Sequence, residues 1–333
     1  MNICGASMAS VDVVIPCYEY GRFLPEAVIS VLSQGIAELR ILIIDNASTD
    51  GSADIARKLA ELQPEVHVSA HTVNQGATAS YNEGIDWAES DFFLILDADD
   101  MLAPGALRRA VQIMEEQPQI AFTHGIEAHS LEGVVTPPLT DAAKIEPWSV
   151  TSGGQFIEHL CRLPVNIVGA NTVIRRTSAQ KAAGHYRAAL PYTDDLEMWL
   201  RLATLGDVAS TQSVQAIRRI HSGQKSEQFR NSQLRDFRER EAAFASFFAH
   251  EGKDCQQSSE LMQQVRLGLG KHAYWSALSH YYRGRRRVAA ELMDFSRERR
   301  GKTGLLPPLD WLLHMDHPVK RLRQILRETA AQR

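Results

Sequence analysis

Long apolar runs are missing from this 333-residue chain. None approaches the roughly 20 residues a helix needs to cross a bilayer, which argues against a helical membrane span. Cysteine is scarce: Cys4, Cys17, Cys161 and Cys255 form neither a CxxC pair nor a disulfide-dense pattern, so reduced thiols in the cytosol are expected. Positive charge is not in excess either. The 36 Lys and Arg face 40 Asp and Glu, for a net charge of -4, whereas nucleic-acid binders usually carry a surplus of bases; no nucleic-acid partner is expected. The N-terminus has no basic segment leading into an apolar stretch, so the expected location is cytoplasmic. No Gly-x-Gly-x-x-Gly turn follows the first apolar segment, which removes a dinucleotide-dependent oxidoreductase.

Present instead is a regular alternation. Val11–Pro16, Arg40–Asp45, Val66–His71 and Phe92–Asp97 are short and rich in β-formers. Phe23–Gln34, Ser52–Leu62, Thr78–Glu89 and Pro104–Gln117, between and after them, carry apolar residues at helical intervals. The pattern predicts an α/β fold: a Rossmann-like, mainly parallel sheet with flanking helices. A helix near Gln155–Arg162, a strand near Thr172–Arg175 and a helical pattern over Leu196–Leu205 follow. From about Gln228 the chain turns charged, aromatic and helical, so a boundary is placed near residue 225.

In such sheets ligands sit beyond the carboxyl ends of the strands. The polar residues collect there. Asp97-Ala98-Asp99-Asp100 follows the apolar run Phe92–Leu96, and carboxylates at the end of a buried strand must be hydrated, paired or metal-bound. Asp99 or Asp100 could instead cap the helix beginning near Pro104. Asp45 ends another core strand, where a ligand is the better explanation for an acid. Ser48, Thr49 and Asp50, just before a helix, are read as capping residues. Asp194 and Asp195 open the helix that carries Trp199, itself assigned to the core.

Six ordered segments carry a resemblance to the inverting family 2 glycosyltransferases of the GT-A fold, from about Val11 to Ser226. VVIPCYEYGRFLPEAVISVLSQ resembles the family's first strand, loop and helix, and IIDNASTDGS its second-strand nucleotide loop. NQGATASYNEGI is similar to the third segment, LDADDMLAPGAL to the metal motif, TDDLEMWLRLATLGD to the helix that opens on an acidic pair, and RRIHSGQKS to the closing His segment. The resemblance implies a GT-A domain over 11–225, between a flexible N-terminal extension of 1–10 and a helical C-terminal region of 226–333.

It also implies roles. Pro16 and Tyr18 would line the nucleotide pocket, and Asp45 would contact base or ribose. Asn46 stands where many members have a second Asp that pairs with uracil, so the base is left open. Asn74, Gly76, Asn82 and Gly84 match the third segment. Asp99 would be the direct ligand of Mg or Mn, with Asp97 acting through ribose or water and His221 near the diphosphate as metal ligand or donor. Asp195 would be the catalytic base, with Asp194 where many members have Glu. The implied partners are a nucleotide-diphosphate-sugar donor and a saccharide or lipid-linked acceptor, in surface polysaccharide or glycolipid assembly.

Arg218 and Arg219 would either screen phosphate or form a solvated basic turn. Arg283–Arg287 and Arg297–Arg300 flank an amphipathic helix, which suits either peripheral contact with the inner face of a membrane or a solvated surface. Trp311, Leu312 and Leu313 would dip into an interface or pack on the body. Two rival functions remain: a nucleotidylyltransferase, for which the first loop Cys17–Arg22 lacks a Gly-rich basic phosphate loop, and a non-catalytic nucleotide-sugar-binding module that keeps the fold.

Overall fold

Four short aliphatic stretches of the first hundred residues become the parallel half of one sheet. In the computed structural model, which describes residues 9–131, 134–136, 145–221, 233–255, 257–301 and 306–314, these are β1 (Ser10–Cys17), β2 (Glu38–Asp45), β3 (Val66–Ala70) and β4 (Phe92–Ile95). Residues 1–8 of the expected extension and the expected boundary near residue 225 lie outside the described residues. Helices α1 (Leu24–Leu32), α2 (Ser52–Leu62) and α3 (Ala77–Trp87) connect the strands. Val11, Val13, Val14 and Ile15 are fully buried, each contributing roughly 1.5–3 kcal/mol of apolar burial.

The chain continues through β5 (Met101–Leu102), α4 (Ala106–Glu116), β6 (Ile120–Leu131), β7 (Val134–Thr136), β8 (Trp148–Thr151), α5 (Gly153–Arg162), β9 (Ile174–Arg176), α6 (Thr177–Ala183), α7 (Asp194–Ala203) and β10 (Asp207–Ile220). The sheet order is β3-β2-β1-β4-β9-β6-β10-β5, with β7 on β6 and β8 on β10. Strands β1, β2, β3 and β4 pair in parallel, β9 runs against both β4 and β6, and β10 is parallel to β6. Six of the ten strands therefore point one way, and the mainly parallel α/β sheet predicted from the sequence is the one found. The two longest strands, β6 and β10, were not among the predicted ones.

Asp12 fastens the amino ends. It is completely buried in β1 and accepts two bonds from the Arg40 guanidinium at 2.7 Å, with others from the amides of Glu89 and Ser90 and the Ser90 hydroxyl. Burial alone would raise its pKa, but these donors outweigh it and hold the carboxyl below its usual range. The opposite, carboxyl end is thereby left for chemistry. Gly84 on α3 seats that helix on β1: a Cβ there would lie 2.5 Å from Val14 Cγ1, so only glycine allows the approach.

The chain divides into two units, Met1–Phe156 with Ile167–Gln224, and Ile157–Asn166 with Lys225–Arg333. The second contains α8 (Gln233–Ala249), α9 (Ser258–Tyr282) and α10 (Arg286–Arg300), with α9 and α10 joined by a short turn. Its core holds Phe237, Phe244, Phe247, Leu269 and Phe295. Trp311 is buried, as the packing alternative required, while the side chains of Leu312 and Leu313 lie outside the described residues.

Candidate active site

The first three parallel strands end in loops tied to one another. Cys17 closes β1, and the amide of Asn46, just past β2, donates to its carbonyl at 2.9 Å. Ser48 Oγ then accepts the amide of Glu19 at 2.9 Å, and Glu19 Oε1 accepts the amide and hydroxyl of Thr49 at 2.8 and 3.0 Å. Asp50 Oδ1 takes the amide of Ser52 at 3.0 Å, while the residue before α2 is Gly51 in the left-handed region. Ser48 and Thr49 are thus not caps, as the sequence suggested; they tie the second loop to the first. Pro16 and Tyr18 lie along the same edge, Tyr18 exposed.

Asp45 is 2% exposed. Its Oδ2 accepts the Ser48 amide at 3.2 Å, but its Oδ1 is buried with no hydrogen-bond partner. An orphaned carboxylate oxygen costs on the order of 1–3 kcal/mol or more, so a ligand N–H or O–H arriving there recovers that penalty. Beside it, Asn46 Oδ1 accepts the Gln75 amide at 2.9 Å and faces His71 Nδ1 at 3.0 Å, and Asn46 Nδ2 donates to Asn74 Oδ1 at 3.0 Å. Asn74 Oδ1 also takes the amide of Gly76, the residue that leads into α3 with φ of 86°.

The acids after β4 are folded together by β10 and by Asn171. Asp97 and Asp99 approach from one chain, and His221, just past β10, brings its Nε2 to 3.0 Å from Asp99 Oδ2. Asp100 does not cap α4, which begins after Gly105; its oxygens take the Arg219 amide at 2.9 Å and the Asn171 carboxamide at 2.6 Å. Asn171 Oδ1 accepts the Asp97 amide at 2.8 Å. Burial, reinforced by the neighbouring charge of Asp99, pushes the Asp97 carboxyl up, and burial with Asp97 and Asp99 pushes Asp100 up as well. The rings of Tyr20 and Phe23 lie 5.4 and 5.0 Å from that of His221. Arg219 lies over Phe23 and pairs with Glu26, and Arg218 is 3.8 Å from Glu127, so neither is a simple solvated turn.

A further acidic pair opens α7. Asp194 Oδ1 accepts the amide of Asp195 at 3.0 Å, and Asp195 Oδ1 that of Leu196 at 2.6 Å, both at a helix N-terminus whose dipole favours negative charge. Asn82 joins this region rather than the loops after β2 and β3. Its carboxamide takes the Tyr186 amide at 2.8 Å and donates to the Tyr186 carbonyl at 3.1 Å, fixing the segment before α7. Glu197 of α7, fully buried, pairs with Arg187 of that segment and with Arg201 one turn further along α7. Trp199 is completely buried, as expected.

The structure therefore places Pro16, Tyr18, Asp45, Asn46, Asn74 and Gly76 along one set of strand ends and groups Asp97, Asp99 and His221 beside the next. Sequence reasoning missed Asn171, whose partners are 71 and 74 residues away, and Tyr81. The charge of Asp97, with burial and the Asp194 and Asp195 charges, raises the Tyr81 phenol well above its usual range, which locates it among these acids. Among the described residues no three His, Cys, Asp or Glu side chains form a complete metal cage. Asp99 and His221 amount to a two-residue donor set, of the kind a divalent ion completes with water and substrate phosphates.

Comparison with known proteins identifies the fold and the family. The sequence model of glycosyl transferase family 2 matches residues 12–182, just over half of the chain. An uncharacterised glycosyltransferase of Haemophilus influenzae is 29% identical over 151 residues, covering 45% of this chain and 60% of that protein. A second from Nostoc is 32% identical over 117 residues, covering 35% and 36%. The putative teichuronic acid biosynthesis glycosyltransferase TuaG of Bacillus subtilis is 29% identical over 107 residues, covering 32% and 42%. The chain thus spans between about a third and three fifths of these relatives' lengths. Among solved structures, S. aureus TarS 1–349 in complex with UDP-GlcNAc superimposes with a TM-score of 0.64 at 16% identity, covering 96% of this chain and 89% of that one. The Pyrobaculum calidifontis mannosyltransferase PcManGT, in complex with GDP-Man and Mn2+, gives 0.58 at 15% identity, covering 97% and 85%. At these identities the structures establish the shared GT-A fold, and the family match supplies the rest: the chain belongs to glycosyl transferase family 2.

Proposed function

We propose that this glycosyltransferase moves a sugar from a nucleoside-diphosphate sugar to an acceptor hydroxyl with inversion at the anomeric carbon. The observation that carries the reading is the orphaned Asp45 Oδ1, a buried acceptor at the same strand ends that present the acids after β4. Asp45 receives a donor group of base or ribose, with Pro16, Tyr18, Asn74 and Gly76 shaping the pocket around it. Asp99 and His221 would hold a Mg or Mn ion, and the crowding of Asp97, Asp99 and Asp100 fits such a cation. When bound, the ion supplies Lewis-acid stabilisation of the departing nucleoside diphosphate.

Asp195 is the base. It accepts the proton of the acceptor hydroxyl as that oxygen bonds to the anomeric carbon, and the bond to the diphosphate oxygen breaks on the opposite face. A carboxylate at a helix N-terminus is favoured in its ionised form and so is ready to take the proton. Asn82 and Glu197 act behind it, keeping the segment before α7 in place.

The acceptor is a saccharide or lipid-linked saccharide, in surface polysaccharide or glycolipid assembly; the relative named for teichuronic acid biosynthesis supports that setting. No described helix is long and apolar enough to cross a membrane. Peripheral contact at the inner face would run through the exposed α9–α10 turn, where Arg285, Arg286 and Arg287 follow Tyr281 and Tyr282. Arg299 does not contribute, because it lies 4.0 Å over Phe295 and pairs with Glu241.

A screen of nucleotide sugars for slow hydrolysis, with Mn or Mg and no acceptor, tests the donor half of the proposal. Turnover of one or a few nucleoside-diphosphate sugars is expected; no turnover and no binding of any nucleoside diphosphate would end the reading.

A further inference from the structure

Behind the nucleotide loops runs a continuous hydrogen-bond chain that the reaction scheme does not use. It starts on β3, where the Ser69 hydroxyl donates to Glu83 Oε1 at 2.6 Å. Glu83 sits on α3, and its Oε2 is 2.5 Å from His71 Nε2. The other ring nitrogen of His71 faces Asn46 Oδ1 at 3.0 Å. That oxygen also accepts the backbone amide of Gln75 at 2.9 Å. An amide N–H can only donate, so the Asn46 carboxamide cannot be flipped, and the His71 Nδ1 facing its oxygen must donate as well. Asn46 Nδ2 then donates to Asn74 Oδ1, which in turn accepts the Gly76 amide.

Two consequences follow from the connectivity. Asn46 is only 4% exposed, and its oxygen is spent on the loop that leads into α3, so it braces Asn74–Gly76 instead of reading a base. Its neighbour Asp45 keeps the unpartnered acceptor oxygen of the pair. The far end of the brace is Glu83, which is oriented by Ser69 and in turn orients His71.

We propose that Glu83 is a positioning residue for nucleotide binding, acting through His71 and Asn46 to hold the Asn74–Gly76 loop against the Asp45 strand end. The inference rests on the reading of this edge as the nucleotide pocket. What the brace requires at position 83 is a group of the right length that shares a proton with His71 Nε2. With Nδ1 donating to Asn46, the bond to Glu83 Oε2 takes a second proton, on Nε2 or on the carboxyl, and a Gln amide N–H supplies one in its place. In Glu83→Gln the amide oxygen accepts from Ser69 while the amide nitrogen donates to His71 Nε2, and His71 keeps its Nδ1 proton for Asn46. Glu83→Ala offers neither bond.

The test is calorimetry of nucleoside diphosphates on the full chain, paired with KM and kcat for donor hydrolysis. In Glu83→Ala the affinity for the preferred diphosphate should fall about tenfold and KM rise by the same factor, with kcat within about twofold, the size of one lost hydrogen bond. Glu83→Gln should bind within about twofold of the parent chain. His71→Phe keeps a ring of similar volume but cuts both bonds, so it should match Glu83→Ala, and the double variant should be no weaker than either single one. The His71 variant also decides the matter should Glu83→Ala not fold. Parent-like binding in both Glu83→Ala and His71→Phe would overturn the proposal, as would a Glu83→Gln as weak as Glu83→Ala. If the parent chain itself binds no nucleoside diphosphate, it is the functional reading that fails, and this inference with it.

Discussion

His221 Nε2 lies 3.0 Å from Asp99 Oδ2, although the two residues are 122 positions apart in sequence. The contact joins the end of β10 to the loop after β4 and fixes the pair as a candidate donor set for one ion. Nucleoside diphosphate binding should therefore depend on divalent cation. EDTA should weaken it at least tenfold, and Asp99→Ala should remove most of the difference between EDTA and Mn, measured by calorimetry. Equal affinity with and without metal in the parent chain would dismiss the metal bridge.

Asp195→Asn keeps size and hydrogen bonding while removing the basic oxygen. Diphosphate binding should persist, and transfer to an acceptor should fall by roughly 10²- to 10⁴-fold, the usual range for loss of a general base. Asp194→Asn should cost less, since the base role is assigned to Asp195. A dead Asp194→Asn beside an active Asp195→Asn would move the base by one residue.

Stability should decline on mild acidification through His124 on β6. Burial lowers its pKa from 6.5 to about 4, so the folded chain holds the ring neutral where the unfolded chain takes up a proton. With the unfolded state binding more protons, stability is fully present above about pH 6.5 and is lost as pH falls toward 4, by up to about 1.4 kcal/mol per pH unit. Thermal melts from pH 7 to 4.5 should show His124→Gln losing less stability across that window than the parent; parallel curves would remove His124 as the cause.

The parallel half of the sheet was legible because β1, β2 and β4 carry the apolar runs VVIP, ILII and FFLI, the last two leading into Asp45 and Asp97. Strands β6 and β10 were not, because their interiors are polar. Gln215 in β10 is fully buried, yet its Oε1 is met by Arg109 of α4 at 2.7 Å, a partner 106 residues away. Periodicity in a short window carries no trace of such a bond. The register of β10 on β6 also shifts near Ser210 and Val214, which breaks the alternation a strand would otherwise display.

The site divides the same way. Asp45, Asp97 and Asp99 stood out because a carboxylate at the end of a core strand needs a reason. Asn171 had no such signal: it lies in a short 3₁₀ turn, and its importance exists only once Asp97 and Asp100 are brought to it. Ser48 and Thr49 misled in the other direction, since their spacing before α2 fits a cap and only the folded first loop shows what they bind.

The seating of Gly84 against Val14 gives α3 almost no play. Tyr81, Asn82 and Glu83 ride on that same helix, one turn or less from the glycine, and reach respectively toward the acidic cluster, Tyr186 and His71. One added methyl at position 84 would tilt a lever with three ends, displacing at once the groups that reach the acids after β4, the segment before α7 and His71. The smallest residue in the neighbourhood thus acts as the common pivot of three side chains with three different partners.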